Sequence, residues 1–279
     1  MTEYVAGLGA LVDRYDAFLV DQFGVILGGA GAYSYAPQAI AELARRGKTV
    51  LPLSNSGKRS EPNTARLVAC GFSRAAFLTV LSSGETAYGA IAARIGTEIA
   101  VGSRVWVHAS DDSASPLAGL ALTPCADPGE ADLLLLAGAR PRACSLDDYA
   151  AWLGPAARAG IACICSNPDV TMLVGEERMF GTGRLAFLYE SLGGKVEWFG
   201  KPYTAIYAEA LRRLAGIDPR RILCIGDSPA HDVLGGHRAG LATALVRTGI
   251  HAEESDAEVM ARCEAVGALP DYILPKMDF

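Results

Sequence analysis

The sequence predicts an α/β fold built on a parallel sheet, and three observations support this prediction. Hydrophobic residues make up 51% of the 279 residues and charged residues 20%, which is typical of a globular chain that buries a core. Short apolar runs alternate with longer helical patterns, as they do in βαβ units. Several apolar runs end abruptly in polar residues and glycine, and ligands of open α/β sheets bind outside the carboxyl ends of the strands.

Five apolar runs that end in this way are predicted strands. They are Ala17–Val20, Thr49–Leu53, Ala76–Val80, Ile222–Ile225 and Ala242–Val246. Helical patterns lie between several of them, notably over Pro37–Arg46 and Thr204–Ala215. We therefore expect a parallel sheet with helices on both faces.

The middle of the chain shows the same alternation and forms a second α/β unit. Arg104–His108, Asp132–Leu136 and Ile161–Cys165 are predicted strands, and Asp147–Ala159 is the predicted helix before the last of them. No stretch rich in proline, glycine and serine separates the two units. The middle unit is therefore predicted to be an insertion into the first.

Charge, cysteine content and the N-terminus argue against several classes of protein. The net charge is −6, so a nucleic-acid backbone would not attract the chain, and nucleic acid is not expected as a partner. An odd number of cysteines, seven in a chain of this size, does not indicate a disulfide framework. The first residues lack a signal-peptide pattern, and no apolar run approaches the roughly 20 residues that span a bilayer. We expect a cytoplasmic protein without a membrane partner.

Four polar segments follow predicted strands or lie in loops. They are Asp21–Val25, Ser54–Ser56, Gly200–Pro202 and Gly226–Asp232. An aspartate after a strand is weak evidence on its own, because aspartate is common at turns and N-caps. Four such segments in one chain point to a shared site at the carboxyl edge of the sheet.

These residues fit phosphoryl transfer. The Asp21 carboxylate can attack phosphorus and form an aspartyl-phosphate, which divides one difficult displacement into two. The Ser54 hydroxyl, the Lys201 ammonium and backbone N–H groups of the first turn can hold the charged phosphoryl oxygens. A cation is needed between Asp21 and the phosphate because both are negative, and Mg²⁺ prefers oxygen ligands. Asp227 is the second carboxylate expected to bind it, with Asp232 nearby.

The four segments, in this order, resemble the four motifs of the haloacid dehalogenase-like hydrolases. Ser166–Asp169 is similar to the Asn-Pro-Asp cap signature of subfamily IIA. Leu192–Val196 leading into Gly200–Pro202 is similar to an uncharacterised branch of that subfamily. The resemblance covers nearly the whole chain.

The resemblance implies a domain organisation, a cofactor and a class of partner. A doubly wound core of residues 1–84 and 186–279 would carry an inserted α/β cap of residues 85–185. The activity would be that of a Mg²⁺-dependent phosphatase-like hydrolase acting on a small phosphorylated metabolite. Caps of this subfamily often dimerise, which leaves a homodimer open.

Carried over by position, the resemblance assigns catalytic and substrate-binding roles. Asp21 would be the nucleophile, with Ser54 and Lys201 as the other two catalytic residues. Both of these residues would also bind the phosphoryl group. Three further side chains would complete the substrate-binding set, the last two from the cap side: Asn55, Asn167 and Asp169.

The implied Mg²⁺ ligands are the carboxylates of Asp21 and Asp227 and the backbone carbonyl of Phe23, with Asp232 supporting them from outside the coordination sphere. Phe23 departs from the pattern, since the phosphatases of the family have an aspartate there as general acid and base. A backbone carbonyl does not depend on its side chain, so metal binding can survive. A phenyl ring cannot transfer protons, so the hydrolysis rate could lose the ~10²–10⁴-fold that general acid–base catalysis contributes.

Phe23 leaves three functions open. In the first, the enzyme hydrolyses esters with good leaving groups or uses another acid, the nearest in sequence being Tyr33, Tyr35 and His231. In the second, a long-lived aspartyl-phosphate passes its phosphoryl group to another acceptor. In the third, the site binds a phosphorylated metabolite without turnover, as a sensor or scaffold would. Phe23 could instead be a core residue of the first turn, in which case its replacement would change stability more than rate.

Overall fold

The structure is a computed structural model that describes residues 2–111, 116–174 and 177–279. The chain forms two compact units. The first unit consists of Met1–Ser54, Ser60–Leu81 and Lys201–Phe279, and the second, called the inserted unit, of Asn55–Arg59 and Ser82–Gly200. Within the described residues, no helix combines the length and the apolar character needed to cross a membrane. The cytoplasmic location stays a prediction.

A seven-stranded sheet is the centre of the first unit. The strands follow one another across the sheet in the order Glu3–Tyr4, Tyr272–Leu274, Ala242–Val246, Ile222–Gly226, Ala17–Val20, Thr49–Ser54 and Leu81–Ser82. The pairings from the first strand of this order to the sixth are all parallel. On each side of Ala17–Val20, strands farther from it in the sheet come later in the sequence, except for the edge strand Glu3–Tyr4. This is a doubly wound sheet, and its switch point lies beside Ala17–Val20.

Both faces of this sheet are covered, as its central strand shows. All four residues of Ala17–Val20 are buried. Phe18 and Val20 pack in one hydrophobic cluster, whereas Ala17 and Leu19 pack in another. Because successive side chains of a strand point to opposite faces, a continuous apolar run indicates a strand that is covered on both sides.

Helices and one small hairpin complete the first unit. The α-helices are Ala36–Arg45, Ser60–Ala69, Thr204–Arg213, Leu234–Arg238 and Asp256–Ala265. A π-helix covers Pro229–Val233, and 3₁₀ helices cover Leu8–Ala10, Arg74–Ala76 and Pro219–Arg221. The hairpin pairs Leu27–Gly28 with Gly31–Ala32. The helices predicted over 37–46 and 204–215 are present, with ends shifted by one or two residues.

The predicted strand Ala76–Val80 is wrong. Residues 74–76 form a 3₁₀ helix, and the edge strand is the shorter segment Leu81–Ser82. Side chains take up backbone groups that a neighbouring strand would have used: Arg74 donates to the carbonyl of Phe77 at 2.9 Å. The N–H of Val80 donates to Oγ1 of a threonine on the helix Ser60–Ala69 at 3.0 Å. The N–H of Leu78 still donates to the carbonyl of Val50 at 2.8 Å, but residues 77–80 form no strand, and Leu78 is 39% exposed.

The inserted unit has a parallel sheet of its own. Its strands follow in the order Lys195–Trp198, Ala162–Cys165, Leu133–Leu136, Arg104–His108 and Thr123–Pro124. Its α-helices are Ser83–Arg94, Leu146–Arg158 and Thr182–Ser191, with a 3₁₀ helix at Pro128–Glu130. An antiparallel hairpin pairs Thr171–Val174 with Glu177–Phe180. The predicted fold class, a doubly wound parallel-sheet core with an inserted α/β unit, is confirmed.

The end of the inserted unit differs from the predicted boundary between residues 185 and 186. Lys195–Trp198 pairs in parallel with Ala162–Cys165 in the sheet of the inserted unit. Leu185 and Tyr189, on the helix Thr182–Ser191, belong to the hydrophobic cluster of that unit. Residues 186–200 are therefore held by the inserted unit, and the chain returns to the first unit at Lys201.

A buried histidine gives the inserted unit a pH-dependent stability. His108 is 8% exposed, stacks on Trp106 and shares a 2.7 Å hydrogen bond with the hydroxyl of Tyr149. Burial, and secondarily the charge of Arg140, lowers the pKa of His108 to about 4.

The neutral form of His108 is thus favoured in the folded state. In the unfolded chain this histidine becomes protonated below about pH 6.5, whereas in the folded chain it stays neutral down to about pH 4. The stability of the fold therefore decreases as the pH is lowered through this range. We expect the loss to be on the order of 3 kcal/mol, measured by urea unfolding at pH 7 and pH 4. His108→Gln should remove this part of the pH dependence. An equal loss in both proteins would contradict the assignment.

Candidate active site

Three neighbouring strands bring predicted catalytic residues to one edge of the first unit's sheet. The strand before Asp21 pairs with Ile222–Gly226 on one side and with Thr49–Ser54 on the other. Asp21 directly follows its strand, Asp227 directly follows the second, and Ser54 is the buried last residue of the third. These residues therefore lie at the switch point, where open α/β sheets bind ligands.

Lys201 joins two of the acids. Its Nζ lies 2.5 Å from Oδ1 of Asp21 and 2.6 Å from Oδ1 of Asp232. The residue is only 3% exposed. Burial opposes the charged ammonium, but the two carboxylates raise the pKa of Lys201 above its ordinary value. Lys201 is therefore a charged, buried group held between Asp21 and Asp232.

Asp227 completes an acidic cluster. One carboxylate oxygen from each of Asp21, Asp227 and Asp232 lies within 4.8 Å of the others. Oδ2 of Asp227 accepts a hydrogen bond from the N–H of Ile250 at 2.9 Å. Oδ2 of Asp232 accepts one from the N–H of Ser228 at 3.2 Å. Backbone donors thus fix the orientation of both carboxylates.

The charges of this cluster fit a divalent cation. Burial raises the pKa of Asp21; Lys201 opposes this effect, and Asp232 and Asp227 reinforce it. Burial also raises the pKa of Asp227, and the charge of Asp232 adds to it. Both pKa values are raised first by burial and then by the neighbouring carboxylates, and a bound cation would offset both effects. Carboxylates are the ligands that Mg²⁺ prefers, so Asp21 and Asp227 fit the predicted ion.

Two glycines allow Asp227 to lie where it does. A Cβ atom at Gly24 would stand 2.0 Å from Oδ2 of Asp227, and one at Gly249 would stand 1.8 Å from the same oxygen. Gly24 also has a φ of +83°, which side chains disfavour. Any side chain at either position would therefore displace the carboxylate.

Gly249→Ala should weaken Mg²⁺ binding because it pushes the Asp227 carboxylate away from Asp21. Changes that misplace a metal ligand typically cost ~10–100-fold in affinity, and we expect a loss in that range by isothermal titration calorimetry. Gly9→Ala is the matched control, since a Cβ there meets nothing within 4 Å. Unchanged Mg²⁺ affinity in Gly249→Ala would argue against Asp227 as a ligand.

Phe23 is exposed, so the alternative that it is a core residue is wrong. The residue is 55% exposed. The guanidinium carbon Cζ of Arg66 lies 5.0 Å from the centroid of its ring. Nη2 of Arg66 also donates to Oε1 of Gln22 at 2.9 Å, and burial lowers the pKa of Arg66. The Phe23 ring therefore packs against the Arg66 cation. That the backbone carbonyl of Phe23 binds a metal ion stays a prediction.

The tyrosines considered as replacement acids have raised pKa values. Tyr33 and Tyr35 stack with their ring centroids 5.6 Å apart, and the hydroxyl of Tyr35 donates to the carbonyl of Val25 at 3.1 Å. Burial raises the pKa of both, and the charge of Asp227 adds to the effect on Tyr33. Such phenols are weak acids near neutral pH. His231 lies in the π-helix, and its role stays a prediction.

The other predicted substrate-binding residues belong to the inserted unit and contact one another. Nδ2 of Asn55 donates to Oδ1 of Asp169 at 2.8 Å. The N–H of Asp169 donates to Oδ1 of Asn167 at 3.1 Å, which closes a side-chain turn after the strand Ala162–Cys165. Ser83 Oγ donates to Oδ1 of Asn55 at 3.4 Å. Their part in substrate binding stays a prediction.

Sequence reasoning missed Arg66 and the packing of Gly249 and Ile250 on Asp227. The segment after the strand Ala242–Val246 carried a signal, because Thr248 and Gly249 are polar and glycine residues at a strand end. Arg66 carried none, since an arginine on an amphipathic helix is ordinarily a surface residue.

Comparison with known proteins agrees with this geometry. A family model described as haloacid dehalogenase-like hydrolase matches residues 18–123, and one described as HAD-hydrolase-like matches residues 198–276. Together the two matches contain Asp21, Ser54, Lys201 and Asp227. The chain belongs to the haloacid dehalogenase-like hydrolases. The predicted family is confirmed, and the relatives are consistent with subfamily IIA.

Three similar proteins match this chain over most of their own length. Chronophin from Homo sapiens is 29% identical over 274 residues, which cover 92% of this chain and 89% of chronophin. A haloacid dehalogenase-like hydrolase from Brucella suis 1330 superimposes with a TM-score of 0.82 at 26% identity, covering 98% of this chain and 99% of that one. Glycerol phosphate phosphatase from Mycobacterium tuberculosis, in complex with magnesium, gives 0.74 at 25% identity, covering 96% and 77%.

Proposed function

We propose that this protein hydrolyses the phosphate ester of a small metabolite, with Asp21 as nucleophile and Mg²⁺ as cofactor. The observation that carries the proposal is the buried cluster of Asp21, Lys201, Asp227 and Asp232 at the switch point of the sheet. The relative from Mycobacterium tuberculosis is named a glycerol phosphate phosphatase, and its complex contains magnesium. That name supports the substrate class and the ion. A homodimer stays a prediction.

The carboxylates of Asp21 and Asp227 and the backbone carbonyl of Phe23 would hold Mg²⁺. When bound, the ion offsets the repulsion between Asp21 and the phosphate and draws charge from the phosphoryl oxygens. Lys201 places an ammonium 2.5 Å from Asp21, within reach of the same phosphoryl group. Ser54 brings a hydroxyl donor from the neighbouring strand.

The reaction has two displacements. In the first, a carboxylate oxygen of Asp21 attacks phosphorus, the bond between phosphorus and the leaving-group oxygen breaks, and that oxygen takes a proton from water. In the second, water attacks the aspartyl-phosphate and the bond between phosphorus and Asp21 breaks; the proton that this water loses neutralises the hydroxide left by the first displacement. The products are an alcohol and orthophosphate, and the Asp21 carboxylate is restored. Lys201 remains protonated throughout and stabilises charge on the phosphoryl oxygens.

A second candidate function follows from Phe23. The ring offers no base to activate water in the second step, and the raised pKa values of Tyr33 and Tyr35 make these residues poor substitutes. Slow hydrolysis lengthens the life of the aspartyl-phosphate. A different acceptor alcohol could then take the phosphoryl group, which would make the protein a phosphotransferase.

Turnover of p-nitrophenyl phosphate with Mg²⁺, and its loss with EDTA, tests the proposal. Added glycerol separates the two candidates, because phosphotransfer produces glycerol phosphate in place of part of the orthophosphate. If neither orthophosphate nor glycerol phosphate forms, and phosphorylated metabolites stabilise the protein thermally in the presence of Mg²⁺, the proposed enzymatic activity is contradicted. That result would indicate a sensor or scaffold.

A further inference from the structure

Arg66 lies against the turn that follows the proposed nucleophile. It belongs to the helix Ser60–Ala69, and its Nη2 donates to Oε1 of Gln22 at 2.9 Å. Its Cζ lies 5.0 Å from the centroid of the Phe23 ring. The guanidinium therefore contacts both residues that follow Asp21 in the chain.

The partners of Arg66 are neutral. Several exposed arginines of this chain pair with acids, as Arg45 does with Glu42. Arg66 contacts the Phe23 ring, the side-chain oxygen of Gln22 and, at 3.5 Å, the side-chain oxygen of Asn63. In the parts of the chain that the structure describes, no carboxylate pairs with it. Its Nε is buried and has no acceptor among those residues. One positive charge beside the first turn is left without a counter-ion.

A partly buried cation without a counter-ion costs free energy, and an anionic ligand removes that cost. The Phe23 ring supports the face of the guanidinium by a cation–π contact, which leaves N–H groups at its edge for a ligand. Phe23 is 55% exposed and two residues from Asp21, so a short ester bound at Asp21 can reach this position. The cation therefore lies where it meets the part of the substrate beyond the phosphoryl group.

We propose that Arg66 binds a carboxylate on the leaving group, so that the substrate is a small phosphorylated carboxylic acid. This inference rests on the proposed function, because it takes Asp21 as the phosphoryl site. One guanidinium matches the single charge of a carboxylate, whereas a second phosphate carries nearly two charges and would need another cation. The planar fork of arginine also suits a carboxylate, which it binds through two parallel hydrogen bonds.

Two phosphonates that cannot be hydrolysed test this proposal. 3-Phosphonopropionate carries a carboxylate, and propylphosphonate has the same length without one. With Mg²⁺ present, isothermal titration calorimetry should show ~10–100-fold tighter binding of 3-phosphonopropionate, the range of a charge-assisted hydrogen-bonded pair. Arg66→Met should abolish the preference and leave the affinity for propylphosphonate within about two-fold.

Two variants control for charge and shape. Arg45→Met removes an exposed arginine on another helix and should keep the full preference. Arg66→Lys keeps the positive charge but loses the planar guanidinium, and it should retain only part of the preference for 3-phosphonopropionate. Thermal melting of each variant checks folding.

Equal binding of the two phosphonates to the natural protein, or a preference that survives Arg66→Met, would overturn the inference. Because phosphonates report binding without turnover, failure to hydrolyse p-nitrophenyl phosphate would contradict the proposed function alone. Failure of both phosphonates to bind would contradict the phosphate site and, with it, both proposals.

Discussion

Asp21→Asn should lower kcat/KM for p-nitrophenyl phosphate by roughly 10³–10⁶-fold, the scale seen when a covalent nucleophile is removed. An amide nitrogen or oxygen does not replace a carboxylate in attack on phosphorus, and no aspartyl-phosphate can form. The fold should survive, because the N–H of residue 21 donates to the carbonyl of Ile225 at 2.9 Å independently of the side chain.

The same variant should melt at an equal or higher temperature in EDTA. Burial, reinforced by the charges of Asp232 and Asp227, outweighs the attraction of Lys201 and raises the pKa of Asp21, so removing this charge should not destabilise the fold. Asp16→Asn is the matched control, since Asp16 is a half-buried acid just before the same strand and pairs with Arg221. Turnover above a tenth of the natural rate in Asp21→Asn would exclude Asp21 as the nucleophile.

Phe23→Asp should raise the hydrolysis of esters with poor leaving groups by about 10²-fold or more, within the ~10²–10⁴-fold range of general acid–base catalysis. The introduced carboxyl would protonate the leaving oxygen and then activate water. Because Phe23 is 55% exposed, the change opens no core cavity. Arg66 beside it would lower the pKa of the new carboxyl, which places the expected gain toward the lower end of the range.

Phenyl phosphate and p-nitrophenyl phosphate form the measured pair, since only the first needs strong acid assistance. The gain in kcat should be larger for phenyl phosphate. Phe23→Asn has the shape of the aspartate variant without its acid and should show little gain. An equal rise in both variants would mean that the phenyl ring obstructs the site, and no rise in either would mean that proton transfer does not limit the rate.

Much of the candidate site was predictable, because chain order and strand ends carry the information. Asp21, Ser54 and Asp227 each end or follow an apolar run, and carboxyl ends of neighbouring parallel strands meet at one edge of a sheet. The pairing of the buried Lys201 with both Asp21 and Asp232 adds specific side-chain contacts to that prediction. The insertion was predictable for a similar reason, since its strands carry their own apolar runs.

What the sequence does not reveal depends on contacts between distant segments. The segment 186–200 belongs to the inserted unit only because Lys195–Trp198 pairs with Ala162–Cys165, and an alternating strand pattern does not name its partner. Arg66 meets Phe23 through the rotation of one helix against a turn. The run Ala76–Val80 has the apolar pattern of a strand, yet side chains of Arg74 and Thr64 bind its backbone.

Reduction with borohydride during turnover tests the central claim most directly. An aspartyl-phosphate is an acyl phosphate, and borohydride reduces it to homoserine, which peptide mass spectrometry locates. With p-nitrophenyl phosphate and Mg²⁺ we expect homoserine at position 21, and none when EDTA replaces the metal. Turnover that leaves Asp21 unmodified, or modification at another carboxylate, would contradict the proposed mechanism.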